Sequence, residues 1–285
     1  MTRVVSGAVL IALAVGVVWF APPPIFIAVA VLIAALAAGE LVALARASGL
    51  TVALVPSAVA AAIIVVSTGF AGALETCLIT ALIAIAAASL GSWRGEPNAL
   101  ATVAASLFPA LYIGLPLSAM IGIRALTGAR GLFLLMTTVI VSDTMQYYSG
   151  RLLGRTPLAP RVSPKKTIEG AIGGFLFGTA VFVFVGGVWL PQTPTMLRVV
   201  LGITIVALGI AGDLFESMLK RSANVKDSST LIPGHGGILD RIDALLFAAP
   251  VYYIVLKLVE LQNCRIAGLQ NCCSILQSCN PPILQ

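Results

Sequence analysis

The sequence predicts an all-α, polytopic integral membrane protein with about nine transmembrane helices. Three observations support this prediction. Hydrophobic residues make up 59% of the 285-residue chain and charged residues only 10%, and the mean hydropathy of +1.04 lies far above that of water-soluble domains. Apolar segments also recur at the length of about 20 residues that a helix needs to cross the hydrocarbon core.

Nine apolar segments have this length. They lie at residues 4–21, 25–45, 52–72, 76–93, 100–123, 131–149, 168–190, 196–219 and 238–260. The first follows Arg3 and resembles a signal peptide, but residues 21–24 offer no convincing cleavage site, so we expect a retained helix. The fifth contains Pro109 and Pro116, which favour a broken helix.

The distribution of basic residues predicts the orientation, because short cytoplasmic loops collect Lys and Arg. With nine spans and the N-terminus inside, twelve basic residues lie on the inner side and four on the outer side. The twelve are Arg3, Arg46, Arg94, Arg151, Arg155, Arg161, Lys165, Lys166, Lys220, Arg221, Lys226 and Arg241. We therefore expect a multi-pass protein of the cell inner (plasma) membrane with two basic loops facing the cytosol.

The net charge of +6 is explained by this topology. Outside the spans there is no basic face with interleaved aromatic residues, so no nucleic-acid partner is expected.

The segment 213–243 is densely polar in an otherwise apolar chain. It holds five of the eleven acidic residues and the only histidine. Polar groups at membrane depth are costly unless they are paired or hydrated, so this cluster indicates a functional site. Asp213, Glu216 and Lys220 lie at helical spacing on one face, and Asp240 and Asp243 are one turn apart where the last span begins.

These residue types favour phosphoryl chemistry. Carboxylate and phosphate oxygens are the ligands that Mg²⁺ prefers, and the glycine-rich loop 233–237 brings bare backbone N–H groups close to an anion. Taken singly, Asp240 beside Arg241 is equally well explained as an interfacial ion pair, and Lys220 with Arg221 as a membrane anchor. The clustering of carboxylates at two helix ends favours a site.

Two ordered motifs resemble those of the phosphatidate cytidylyltransferase family, also called CDP-diacylglycerol synthases. The later motif comprises Ser217-x-x-Lys220-Arg221, Lys226-Asp227 and Pro233-Gly234-His235-Gly236-Gly237-x-x-Asp240-Arg241-x-Asp243. The earlier motif comprises Asp143, Tyr147, Gly150-Arg151, Gly154-Arg155 and Ser163-Pro164-Lys165-Lys166-Thr167-x-Glu169-Gly170. The resemblance covers about residues 1–260 and is strongest from residue 140 onward.

The resemblance implies that CTP and phosphatidate are converted to CDP-diacylglycerol and diphosphate, with Mg²⁺ required and a second cation left open. It also implies contact with membrane lipids and a homodimer. The catalytic residues would be Asp213, Lys220, Arg221, Lys226, Asp227, His235, Asp240, Arg241 and Asp243. Asp213, Asp240 and Asp243 among them would bind the metal. The nucleotide and lipid phosphate would be bound by Gly234, Gly236, Gly237, Asp143, Tyr147, Ser163, Lys165, Lys166 and Thr167.

Two other functions remain open. A CTP-dependent membrane lipid kinase would use similar polar loops but transfer the γ-phosphate. A secondary transporter would also place charges near broken helices, but it predicts midplane sites within repeated halves, and the sequence has no internal duplication.

Three regions are expected along the chain. Residues 1–140 form N-terminal transmembrane helices, residues 141–260 form the catalytic region with both loops, and residues 261–285 form a cysteine-containing tail of unknown role. The tail has no zinc-binding spacing.

Overall fold

The computed structural model describes residues 2–68, 73–95, 97–232, 234 and 236–266. Within these ranges the chain folds into nine α-helices and one short β-hairpin. The helices are α1 (Thr2–Phe20), α2 (Pro23–Ala47), α3 (Leu54–Ser67), α4 (Ala73–Ser92), α5 (Ala99–Pro109), α6 (Leu115–Leu153), α7 (Ile168–Trp189), α8 (Thr195–Ser222) and α9 (Leu239–Ile266). The strands are β1 (Pro157–Ala159) and β2 (Ser163–Thr167).

The prediction of an all-α polytopic membrane protein is confirmed, but the count of nine spans is not. Six helical stretches in the described ranges are long and apolar enough to cross a membrane. They are Pro23–Ala47, Ala73–Ser92, Ala99–Leu153, Ile168–Trp189, Thr195–Ser222 and Leu239–Gln262. Two further apolar helical stretches, Gly7–Phe20 within α1 and Leu54–Ser67, are shorter in the part of the chain that the structure describes.

The continuous stretch Ala99–Leu153 explains part of this difference, because two predicted segments fall within it. The backbone breaks helical geometry at Gly128, where φ is 68° and ψ is −168°. A residue without a side chain adopts this left-handed φ without steric cost, so the chain turns here between the two predicted segments.

The prolines of the fifth segment distort the helix rather than ending it. Between Pro109 and Pro116 the backbone forms a π-helical turn, Ala110–Gly114. Proline lacks an N–H donor and its ring clashes with the preceding turn, so a wider turn keeps the segment helical. One consequence is that the side chain of Tyr112 is buried in the core.

The hairpin between α6 and α7 was expected as an irregular loop, and it is the one departure from an all-α fold in the described ranges. Pro157 pairs with Thr167 and Ala159 with Ser163 in antiparallel register. The Thr167 hydroxyl then caps α7 by accepting a hydrogen bond from the Gly170 N–H at 3.1 Å. The hairpin thus continues directly into α7, with no intervening loop.

Helices α6 to α9 form one tightly packed group, in which α6 contacts α7 and α9, and α8 contacts α7 and α9. Helices α2, α3, α4 and α5 form a second group, and α2 also contacts α9. The predicted division at residue 140 stays a prediction, and it falls inside α6. Of the predicted tail, residues up to Ile266 belong to α9, and the remainder lies outside the described residues.

We expect the close approach of α8 and α9 to depend on Gly212. A Cβ atom at this position would lie 2.6 Å from the backbone oxygen of Asp243. A Cβ atom at Gly209, one turn earlier, would lie 3.7 Å from the nearest atom, so this position serves as the matched control. Gly212→Ala should lower the free energy of unfolding by about 1–3 kcal/mol, whereas Gly209→Ala should leave it unchanged or raise it slightly. Thermal unfolding in detergent measures both, and equal effects would contradict the packing described.

Candidate active site

The C-terminal end of α8 presents a polar face. The predicted helical spacing places Asp213, Glu216, Ser217 and Lys220 along it, and the Ser217 hydroxyl donates to Asp213 Oδ1 at 3.3 Å. Glu216 is fully buried. A carboxylate at this depth needs a cationic partner, because an isolated buried charge is strongly unfavourable.

Lys220 is that partner, and it also joins α8 to α9. Its ammonium group pairs with Glu216 on its own helix and with Asp240 Oδ1 at 2.5 Å on the next. The side chains of Lys220 and Asp240 are only 12% and 7% exposed, so this ion pair is shielded from water. Removing one member of such a cluster leaves the others uncompensated.

Asp240 also organises the glycine-rich loop that precedes α9. Its Oδ2 accepts hydrogen bonds from the backbone N–H of Ser228 at 3.0 Å and of Gly237 at 2.8 Å. Gly236 has a φ of 76°, and a Cβ atom there would lie 2.6 Å from Asp240 Oδ2. Glycine is needed here both for the left-handed backbone and for the space. The N–H of Gly237, predicted to contact a phosphate, is directed to Asp240.

The β-hairpin brings the second predicted loop to the same place. Lys166 Nζ lies 2.5 Å from Asp213 Oδ2. Arg221 Nε donates to the backbone oxygen of Val162 at 3.4 Å. Glu169 closes the base of the hairpin by accepting from the backbone N–H groups of Arg155 at 3.1 Å and Thr156 at 3.2 Å. The two polar loops therefore form one cleft, although they are separated by the whole of α7 and α8.

Three carboxylates line this cleft. Asp143 of α6, Asp213 of α8 and Asp243 of α9 lie within electrostatic range of one another. Gln146 donates to Asp143 at 3.0 Å, and Asp243 accepts from the N–H of Ala244 at 2.7 Å. Among these three carboxylates, Asp213 is the one with a lysine in direct contact in the described ranges.

The predicted metal ligands are not assembled into a binding site as the side chains stand. In the described ranges no group of three or more His, Cys, Asp or Glu side chains converges closely enough to hold a metal ion. Lys166 occupies one oxygen of Asp213, and Lys220 with the loop N–H groups engages Asp240. Metal binding by Asp213, Asp240 and Asp243 stays a prediction.

The other predicted site residues are mostly exposed or half-buried. Tyr147 is exposed, and its hydroxyl accepts from Arg151 at 3.2 Å. Ser163 is half-buried at the start of β2. Lys165, Lys226, Asp227 and Arg241 are exposed and form no ion pair within the described part of the chain. Gly234 has a φ of 77°. His235 lies outside the described residues.

Two residues of the N-terminal half were not predicted as part of the site. Glu40 of α2 is buried against the glycine-rich loop, where its carboxylate accepts from Ser228, Ser229, Ile238 and Leu239. Its isolation in an apolar helix was a usable signal, because intramembrane carboxylates are rarely unpaired. Tyr112 is buried without a hydrogen-bond partner for its hydroxyl, within electrostatic range of Glu216 and Asp243. No spacing pattern in the sequence indicated Tyr112.

The residue types at this place are those expected for contact with phosphate groups and a cation, as the sequence predicts. Asp143, Asp213 and Asp243 supply carboxylate oxygens, and Lys165, Lys226 and Arg241 of the two polar segments are exposed. A divalent cation favours clustered carboxylates, while basic side chains attract phosphate groups.

Comparison with known proteins supports this interpretation. A family model described as the cytidylyltransferase family matches residues 1–259. The phosphatidate cytidylyltransferase of Thermotoga maritima is 43% identical over 165 residues, which cover 56% of this chain and 61% of that protein. The corresponding protein of Synechocystis is 45% identical over 140 residues, covering 48% of this chain and 47% of that protein. The chain thus spans about half to three fifths of the length of these relatives.

A longer match is found to the phosphatidate cytidylyltransferase of Mycobacterium tuberculosis strain H37Rv. It is 30% identical over 277 residues, which cover 90% of this chain and 84% of that protein. The similarity therefore includes the N-terminal helices as well as the two polar loops.

Lys220 and Lys226 provide a matched test of the buried charge cluster. Lys220→Met would leave Glu216 and Asp240 without their cation, so we expect it to lower the free energy of unfolding by about 3 kcal/mol. Lys226 is exposed and without an ion pair among the described residues, so Lys226→Met should change that free energy by less than about 0.5 kcal/mol. Unfolding in detergent distinguishes them; similar stabilities for the two variants would refute the role of Lys220.

Proposed function

Because the chain belongs to the cytidylyltransferase family, we propose that it is a phosphatidate cytidylyltransferase of phospholipid biosynthesis. It would convert CTP and phosphatidate to CDP-diacylglycerol and diphosphate. The observation that carries the proposal most directly is the contact between Lys166 and Asp213, which joins the two family-like loops into one cleft. The match across residues 1–259 supports it independently.

The chemistry requires positioning rather than a protein nucleophile. An oxygen of the phosphatidate phosphate attacks the α-phosphorus of CTP and forms a new P–O bond. The bond from the α-phosphorus to the bridging oxygen of the β-phosphate breaks, and its electrons leave with diphosphate. The attacking phosphate monoester is largely ionised near neutral pH, since its second ionisation lies near pH 6. No side chain has to remove a proton from it.

The protein residues would orient the two substrates and balance their charge. Lys165 and Lys166 lie in β2, Arg221 lies in the last turn of α8 and contacts the hairpin, and Lys226 lies in the segment after α8. Lysine and arginine placed against phosphate oxygens stabilise the charge that shifts toward the leaving group. Holding both substrates in line lowers the entropic part of the barrier.

We propose that Mg²⁺ binds with CTP, held by Asp213 and Asp243 with Asp143 beside them. The proposal is supported by the type of ligand: carboxylate oxygens are what Mg²⁺ prefers, and Asp143, Asp213 and Asp243 lie within electrostatic range of one another. A bound Mg²⁺ supplies positive charge that neutralises phosphate oxygens. Asp240 would have to release Lys220 to join these ligands, so its main task is to hold the loop.

The proposed cellular setting is the inner (plasma) membrane with the cleft facing the cytosol, where CTP is present. The end of α2, the hairpin, the end of α8 and the start of α9 all meet at one end of the helical bundle. Basic residues are concentrated in the loops of this end, as in cytoplasmic loops generally. The homodimer implied by the resemblance stays a prediction.

Labelled CTP distinguishes the proposed reaction from the alternatives. With purified protein, phosphatidate and Mg²⁺, label in the α-phosphate of CTP should enter the lipid, and label in the γ-phosphate should appear only in diphosphate. Entry of γ-label into lipid would instead identify a lipid kinase. Absence of both products with every phosphatidate tested would contradict the proposal, and dCTP with other nucleotides provides the specificity control.

Asp243 and Asp240 should respond differently to Mg²⁺. For Asp243→Asn we expect the Mg²⁺ concentration at half-maximal rate to rise about tenfold or more, because a hard oxygen ligand is lost. For Asp240→Asn the rate should be lower than that of the wild type at every Mg²⁺ concentration, including saturating ones, since the loop loses its organising carboxylate. Glu75→Gln, an exposed position in the first turn of α4, is the control. The assignment is wrong if Asp243→Asn has the same Mg²⁺ dependence as the wild type.

A further inference from the structure

Glu40 is a buried carboxylate that no part of the proposed reaction uses. It is the only acidic residue of α2, and only 6% of its surface is exposed. It lies in the N-terminal half of the chain, far in sequence from either polar loop. Burying a carboxylate costs several kcal/mol unless every oxygen is well hydrogen-bonded, so its presence needs a physical explanation.

Glu40 binds the segment that leads into α9. Its Oε1 accepts from the Ser229 hydroxyl at 2.7 Å and the Ile238 N–H at 3.0 Å. Its Oε2 accepts from the Ser228 hydroxyl at 2.8 Å and the Leu239 N–H at 2.8 Å. The N–H groups at the start of a helix have no acceptor within that helix. Glu40 therefore caps α9 from a different helix, with its negative charge at the positive end of the helix dipole.

The same loop is held from its other side by Asp240. The Ser228 hydroxyl lies 2.8 Å from Glu40 and 2.9 Å from Asp240, so one hydroxyl hydrogen is shared between two carboxylates. Gly237 lies between them, and a Cβ atom there would collide with the Glu40 carboxylate and the Ser228 hydroxyl. The position of Asp240 therefore depends on where Glu40 holds the loop.

We propose that Glu40 is a positioning residue of the active site, an inference that rests on the proposed cytidylyl transfer. By holding Ser228, Ser229 and the first turn of α9, it directs Asp240 toward Lys220 and Asp243 toward Asp213. Glu40 contacts neither substrate in this scheme. Its effect on turnover is transmitted through the loop and the direction of α9.

The first test is Glu40→Gln, which keeps the volume but replaces one accepting oxygen with an NH₂ group. Two of the four donors then lose their acceptor. We expect kcat to fall about tenfold or more, as for other residues that orient a site, while the KM for CTP changes less than about threefold. Hydrogen exchange should accelerate in residues 228–239 and remain unchanged in α4. Glu75→Gln makes the same chemical change at an exposed position and should match the wild type.

A second variant keeps the inference testable if Glu40→Gln does not fold. Ser229→Ala removes one donor to Glu40 Oε1 from a half-buried residue and leaves Asp240 untouched. A lower kcat with an unchanged unfolding temperature would support positioning. A wild-type kcat in Ser229→Ala, together with an unfolded Glu40→Gln, would overturn it in favour of a purely structural role.

The outcomes separate this inference from the proposed function. If the wild type transfers α-label to lipid and Glu40→Gln has the same kcat, KM and loop exchange, the role of Glu40 is wrong and the function stands. If the wild type transfers no label, the function fails, and loop exchange in Glu40→Gln still shows whether Glu40 holds residues 228–239.

Discussion

The contact of Lys220 with Glu216 and Asp240 is the interaction on which the remainder of the site depends. Two carboxylates and one ammonium group are removed from water at the end of a lipid-spanning bundle, where unpaired charges are expensive. The cluster is stable only while α8 and α9 remain close, and Gly212 permits that approach because it has no side chain against the Asp243 backbone. Helix packing and charge pairing therefore depend on each other.

Two sets of contacts connect α8 and α9 to the remainder of the site. Asp240 accepts hydrogen bonds from Ser228, whose hydroxyl also contacts Glu40 in the N-terminal helices. Asp213 forms an ion pair with Lys166 of the hairpin. Asp143 and Asp243 have no cation in direct contact in the described ranges. In the proposed reaction, a nucleotide bound with Mg²⁺ would supply positive charge to these oxygens.

The features that could be predicted from the sequence follow from local physics. A membrane-spanning helix must match the thickness of the hydrocarbon core, so the length of the apolar segments predicted the helical membrane fold. Asp213, Glu216 and Lys220 are spaced to match 3.6 residues per turn, so their position on one helix face could also be predicted. The two motifs identified which loops carry polar chemistry.

The features that were missed depend on contacts between distant parts of the chain. Glu40 meets Leu239 across 199 residues, and no periodicity encodes that pairing. The contacts of Asp240 with Lys220 and with the loop N–H groups are likewise tertiary, and metal binding by Asp240 stays a prediction. Strands of three and five residues containing proline and lysine lack the alternation that indicates a hairpin, so β1 and β2 were taken as loop.

The central claim is that two loops separated by α7 and α8 form a single site for nucleotide. Hydrogen exchange of the purified protein with increasing CTP in the presence of Mg²⁺ tests it most directly. We expect residues 157–170 and 223–239 to gain protection together, with the same midpoint in CTP concentration. Protection confined to one of these segments, or appearing at two different midpoints, would contradict a single shared site.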